Sequence, residues 1–247
     1  MLELAVFYAL FGALLLSKTH RQKLQHKSVF EWVTDSINLL IQGVGIPVLR
    51  ASVLVVVLQQ IFPAWQGIWR MPDWAGFGLN MLVVDYLYYW NHRLMHLRPL
   101  FPIHMVHHSV RFMDVMATSR NSLWTSLFFV YLWINGLLLF LTDFNAGFML
   151  GMSLTAALDL WKHSPFLAQQ PRWLDTIAKY LCVMTPQEHA WHHSSQLNFN
   201  YGANWNLFDK LHGTYRHHDH YPEKLGVTSK LSPWQQFFLP FARVPHR

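Results

Sequence analysis

The stretch AGFGLNMLVVDYLYYW, residues 75–90, runs without a break into NHRLMH, residues 91–96. Its first part is apolar and aromatic enough for a membrane helix, and its last part sets His92 and His96 one helical turn apart beyond the apolar run. A helix that reaches the membrane surface and at once presents two imidazoles on one face governs how the flanking sequence is read. Further apolar runs lie on either side, at residues 2–16, 37–62, 123–141 and 144–161. Clean two-residue alternation is absent, so strands are not expected. The expected fold is all-α: an integral membrane bundle of about 4–5 spans, with a cytosolic, histidine-rich helical cap.

Composition supports a membrane chain. Of 247 residues, 52% are hydrophobic and only 13% charged, about half the charged share of an ordinary soluble domain. Disordered, coiled-coil and nucleic-acid-binding classes fit poorly despite the net charge of +6. A single cysteine, Cys182, excludes a disulfide framework and thiolate metal sites. The first apolar run is followed by the basic stretch 17–27, the reverse of a secretory signal, and reads as a retained anchor. Residues 37–62 contain Gly43, Gly45, Pro47 and Arg50, so their first half is expected to be kinked or interfacial and 51–62 to lie within the membrane. Residues 123–141 and 144–161 form a hairpin joined by Thr142 and Asp143.

Lysine and arginine favour cytoplasmic loops. With the N-terminus outside, seventeen of the nineteen fall on the cytoplasmic side, leaving Arg70 outside and Arg50 within a helix. The clustered histidines fall on that same side. Residues 162–247 are polar, rich in proline and histidine, and expected to cap the bundle. The expected division is an N-terminal membrane-anchor region at 1–74, a region at 75–216 that carries three of the spans and the clustered histidines, expected to be the catalytic one, and a polar C-terminal tail at 217–247.

Nine of the sixteen histidines fall in four groups: His92 and His96; His104, His107 and His108; His163; and His189, His192 and His193. HxxxH puts two imidazoles on one helical face, and HxxHH puts three within roughly a 100° arc. Random placement would give about 0.07 HxxHH matches in such a chain, and two occur. Nine imidazoles exceed what one four-coordinate zinc requires and suit two ions. Thr185-Pro186-Gln187-Glu188 forms a capping box opening the helix of the last group, and Pro102 opens a short helix for the second. Asp159 and Asp85 share helical faces with His163 and His92. Either they orient those ligands as hydrogen-bond acceptors or they form interhelical pairs, for instance Asp85 with Arg50 or a tyrosine hydroxyl.

DYLYYWNHRLMH (85–96), FPIHMVHHS (101–109), WKHS (161–164) and TPQEHAWHHS (185–194) resemble the histidine boxes of the fatty acid hydroxylase/sterol desaturase superfamily of membrane di-iron enzymes. NYGANWNLFDKLHGTY (200–215) resembles its closing segment, with Phe208, Lys210 and His212 where the family usually has Trp, Arg and Phe. The resemblance implies a di-iron centre held by the nine histidines that uses dioxygen to hydroxylate or desaturate a lipid. His212 either adds a ligand or fills the aromatic position. His217, His218 and His220 are expected to be solvated tail residues, and His20, His26 and His246 stand outside the ligand set.

Imidazole alone serves zinc as well as iron, so iron rests on the resemblance and zinc is the alternative. No Rossmann glycine fingerprint, flavin motif or iron–sulfur cysteine set occurs, so electrons are expected from a separate cytochrome b5-like or ferredoxin-like donor. Sterol, fatty acyl, alkylglycerol and carotenoid substrates all suit this chemistry. The aromatic third and fourth spans either line a substrate slot or, the preferred alternative, mark bilayer interfaces. A zinc-dependent membrane hydrolase would need HExxH or a glutamate base, whereas Glu188 fits a cap. A metal transporter or sensor would carry ligands at mid-membrane, whereas these sit at or beyond span ends. Small size and the absence of a C-terminal retention signal favour a bacterial inner membrane over the endoplasmic reticulum.

Overall fold

The computed structural model describes residues 2–166, 172–196, 198–228 and 230–242. Among them every regular element is helical, and the one β-type contact is an isolated bridge between Val183 and Trp205.

Helix α1, Leu2–Leu16, turns through 93° into α2, Lys18–Gln25. Ser28 then opens α3, Val29–Ile61: its hydroxyl accepts from Glu31 N at 3.2 Å, and the Glu31 carboxylate accepts from Ser28 N at 2.9 Å. The kink expected around Gly43, Gly45 and Pro47 does not interrupt this helix. Wider π-type turns over Ile41–Gly45 and Leu49–Val55 flank Pro47, whose ring supplies no N–H to the ladder. At 33 residues and a mean hydropathy of 2.0, α3 is the described helix that is long and apolar enough by itself to cross a membrane. The bent α1–α2 pair also qualifies if taken as one broken unit.

Helix α4 occupies residues 73–95, with His96 at its C-cap. The stretch 123–141 is not the single helix its apolar content suggests. A turn at Thr125–Phe128 is followed by an extended Phe129, ψ 138°, before α5 begins at Val130–Leu141. Asn91 of α4 sustains that break, donating from Nδ2 to Phe128 O at 3.0 Å and accepting from Val130 N on Oδ1 at 3.1 Å. Twelve residues make α5 about 18 Å long, short of the roughly 30 Å hydrocarbon layer. Next come α6, Ala146–Lys162, α7, Arg172–Tyr180, and α8, Pro186–His192.

The bundle is built around α6, against which α1 and α4 lie, while α5 packs along α3. Helices α4 and α6 cross closely at the end remote from the histidines. A Cβ at Gly147 would stand 1.7 Å from the Asp73 carbonyl oxygen, and one at Gly76 1.9 Å from Asn145 Oδ1. Asn145 also caps α6, accepting from Phe148 N at 3.0 Å. Val55, Val84, Leu138, Phe140 and Phe148 fill the core there. At the histidine end the packing is polar. Lys27 Nζ reaches Asp35 at 2.6 Å and Asp114 at 3.0 Å, while Arg120 reaches Asp35 at 2.7 Å and Glu31 at 3.2 Å. This buried network ties the start of α3 to segment 110–120, and losing one member would strand the others uncompensated.

Gly147→Ala is expected to lower the thermal midpoint of the purified protein by the equivalent of about 1–3 kcal/mol. Gly12→Ala, where nothing lies within 4 Å of the added methyl, should leave it unchanged or slightly raised. Equal midpoints for the two variants would contradict the close crossing.

Candidate metal centre

All nine histidines singled out in the sequence converge at one end of the bundle. His92 and His96 end α4, His163 caps α6, and His189, His192 and His193 belong to α8 and its C-cap. His104, His107 and His108 do not share one helix as expected. An α-helical turn, Phe101–His104, gives way to a 3-10 turn, His107–Ser109. Eight of the nine are buried, and His96 is half-buried.

Their donor nitrogens sort into two groups. His92, His96, His104, His108 and His192 form one, and His107, His163, His189 and His193 the other, with the donor atoms of each group all within 4.8 Å of one another. This division explains the motif. Residues four apart share a helical face, so His92 with His96 and His189 with His193 stay together, and His104 and His108 stay together across the change from α-helical to 3-10 turn. The middle histidine of each HxxHH points elsewhere, sending His107 to one group and His192 to the other.

Within the first group, His92 Nε2 lies 2.9 Å from His104 Nε2 and 3.1 Å from His192 Nε2, and His104 Nε2 lies 3.1 Å from His108 Nε2. Within the second, His163 Nε2 lies 3.3 Å from His107 Nε2 and 3.1 Å from His189 Nε2. Adjacent imidazoles on one ion, with bonds of about 2.1 Å at right-angled to tetrahedral geometry, stand about 3.0–3.4 Å apart. The donor set therefore fits a metal in each group. His193 adds two buried ring nitrogens with no hydrogen-bond partner among the described residues.

Four rings are fixed from outside by backbone carbonyls. Nδ1 of His92 donates to Tyr201 O at 2.7 Å, that of His192 to Phe199 O at 2.7 Å, that of His163 to Asp159 O at 2.8 Å and that of His107 to Arg120 O at 3.2 Å. Each bond leaves Nε2 as the inward lone pair. Burial, with repulsion between neighbouring rings, holds these imidazoles below their usual pKa. His107 is pushed down to about 3, first by lost hydration and then by His163. Lost hydration likewise brings His192 down to about 4. The neutral ring is the form that ligates.

The two carboxylates play other parts than direct acceptors. Asp159 Oδ1 pairs with Lys162 at 3.1 Å and stays 3.7 Å from His163 Nδ1, so its backbone carbonyl does the orienting. Asp85 meets neither Arg50 nor a tyrosine hydroxyl. It accepts from Asn204 N at 2.9 Å and so pins the loop that supplies Tyr201 O. Sequence reasoning missed Asp209, which accepts from Tyr201 N and Gly202 N, both at 2.8 Å. The glycine beside it was the available signal: a Cβ at Gly202 would stand 2.1 Å from Trp205 O. Glu188 is the helix cap read from the sequence, and it also accepts from Tyr215 OH at 2.5 Å.

His212 fills the aromatic position, stacked 5.2 Å from Tyr89 and 5.7 Å from Tyr86, away from both groups. His218 is not simply solvated: it stacks on Trp191 at 3.7 Å, and Trp191 Nε1 donates to His220 O at 2.6 Å, holding the tail against α8. His217 reaches the exposed Asp219 at 3.2 Å. His20 lies edge-on to Phe166 and His26 is exposed, while His246 lies outside the described residues.

A cavity of about 860 Å³ opens from His104, His107 and His189 and runs between α1, α3, α4, α5 and α6. Tyr88, Phe129 and Tyr131 line it, so aromatic residues of the third and fourth apolar stretches do form a slot.

Residues 77–214, more than half of the chain, match the profile of the fatty acid hydroxylase family. Ornithine lipid hydroxylase OlsE of Rhizobium tropici is 30% identical over 209 residues, which are 81% of this chain and 60% of that protein. The chain thus spans about three-fifths of the length of that curated relative. No solved structure matches. All four histidine boxes lie inside the matched span, and the chain belongs to the fatty acid hydroxylase family.

Proposed function

We propose that the protein is a membrane oxidoreductase that uses dioxygen to hydroxylate a C–H bond of a lipid, with the nine histidines holding a pair of iron ions. The observation that carries this reading is the cavity leading from both histidine groups into the apolar helices. The relative's hydroxylase name favours hydroxylation over desaturation. The five-histidine group exceeds the four ligands of a structural zinc site. When bound, the metal pair would supply the oxidising chemistry for C–H cleavage. The chain's own part is to hold neutral imidazoles by their Nδ1–H groups, keep water from the centre and bring an acyl or similar chain alongside His104, His107 and His189. Electrons would come from a separate cytochrome b5-like or ferredoxin-like protein.

The membrane placement follows the same logic. Trp65, Trp69 and Trp74 are exposed near the remote end, and Trp124, Trp173 and Trp234 near the histidine end, as two interfacial belts would be. We place the histidine face on the cytoplasmic side of a bacterial inner membrane, or of the endoplasmic reticulum if the source is eukaryotic.

Purified protein should contain about two irons per chain, consume dioxygen with an added reductant and place 18O in one lipid class. Zinc without dioxygen uptake would overturn the reading. His107→Ala and His192→Ala should each lose turnover and metal together.

Asp209→Ala should weaken metal retention about 10–100-fold by loosening Tyr201. Competition with a chelator measures this, and wild-type retention would refute the role.

Acid should destabilise the metal-free protein. These imidazoles stay neutral when folded, whereas in the unfolded chain they protonate near pH 6.5. Stability is therefore present above that pH and declines as pH falls through it, until His192 and His107 take up protons in the folded state near 4 and 3. Thermal midpoints between pH 8 and 5 test this, and a flat profile would contradict it.

A further inference from the structure

Arg50 stands in the apolar run of α3 and lines the same cavity as His104 and His107. Among the described residues no hydrogen bond or ion pair engages it. The carboxylates on the cavity wall are committed elsewhere: Glu3 takes the Ser153 hydroxyl, and Asp159 pairs with Lys162 at 3.1 Å. A guanidinium at that depth is costly unless something pairs with it.

The site around it is shaped for an occupant. On α5, a Cβ at Gly136 would fall 3.3 Å from Arg50 Cγ and 2.3 Å from Leu54 Cδ2, so glycine makes room for the arginine stem. Gln42, Asn80, Tyr131 and Asn135, which share the cavity wall with it, are neutral. The Tyr131 hydroxyl is buried with no partner among the described residues. Its ring stacks on Tyr88 at 4.8 Å, and Tyr88 lies 5.3 Å from the His92 ring. Tyr131, Tyr88 and His92 thus form a run of neighbouring rings, and the two tyrosines share the cavity wall with Arg50. Gly136 is six residues along α5 from Val130, about 9 Å, and Val130 N is held by Asn91 next to His92.

We propose that Arg50 binds the carboxylate of the lipid in this cavity, holding it deep so that chain carbons, and not the carboxylate, lie beside the histidines. A single cation among neutral donors suits a monoanion, and the guanidinium fork matches a carboxylate in two-point contact. The proposal rests on the reading of the cavity as a lipid site.

The test uses the full chain in nanodiscs of phosphatidylcholine, with binding of a fluorescent long-chain fatty acid compared with that of its methyl ester. Wild-type protein should prefer the acid by about tenfold or more. Arg50→Met should lose that preference by weakening the acid alone, with unchanged metal content and thermal midpoint, and Arg50→Lys should restore part of it. Equal binding of acid and ester to wild type, or a preference that survives in Arg50→Met, would overturn the assignment of Arg50 while leaving the cavity a lipid site. Binding of neither probe would overturn the lipid reading as well. Displacement of the acid by an acyl phosphodiester more readily than by unlabelled fatty acid would overturn the choice of a carboxylate.

Discussion

Eight buried imidazoles and a half-buried ninth share one small volume, and to ligate a metal each must be neutral with its basic nitrogen turned inward. A ring free to flip would turn an N–H toward its neighbours' N–H groups, and a protonated one would repel them across about 3 Å. Four backbone carbonyls, of Tyr201, Phe199, Asp159 and Arg120, settle the tautomer of four rings by accepting Nδ1–H. Carbonyls serve this end without adding charge, whereas four carboxylates would bring four buried anions.

The rest of the bundle gives this centre a fixed base and an opening. At the remote end, Gly147 and Gly76 let α4 and α6 touch backbone to backbone, leaving little freedom in the angle at which His92 and His163 arrive. Between that end and the histidines lies the cavity, whose wall includes the polar residues Asn80, Asn135 and Arg50. The broken stretch at Phe129 belongs to the same design. Asn91 satisfies the backbone groups freed there, and the break sets Phe129 and Tyr131 against the cavity.

Much of this was legible in the sequence because it follows from periodicity. The 3.6-residue repeat makes HxxxH a shared face, and the Thr185 and Glu188 spacing marks the start of α8, so the nine histidines and their helix could be named without coordinates. The partition of HxxHH between two groups emerges only once the other segments are in place, and for His104 to His108 it also depends on the change of turn type between them. What could not be read depends on long-range contact. The orienting carbonyls carry no side-chain signature, so the sequence points instead to Asp85 and Asp159, the carboxylates that share a helical face with His92 and His163. The break at Phe129 follows from Asn91, 38 residues earlier, and no local propensity encodes it.

The supports of the two groups are separate. His92 and His192 are both set by one loop, through Tyr201 O and Phe199 O. That loop is held at Asn204 by Asp85 from within α4, and at Tyr201 and Gly202 by Asp209 from the closing segment. The other group takes its bearings from different places. His163 is set by its own helix through Asp159 O, and His107 by Arg120, whose guanidinium is anchored on Asp35 and Glu31 of α3. Strain in the closing loop therefore reaches the five-histidine group first, and strain in the ion network reaches the four-histidine group first. The rings His104 and His107, stacked at 5.1 Å, and His108 and His193, at 4.5 Å, are where the two frames meet. The spacing between the groups is thus fixed by short-range packing of adjacent histidines, while the orientation within each is fixed by distant and different parts of the chain.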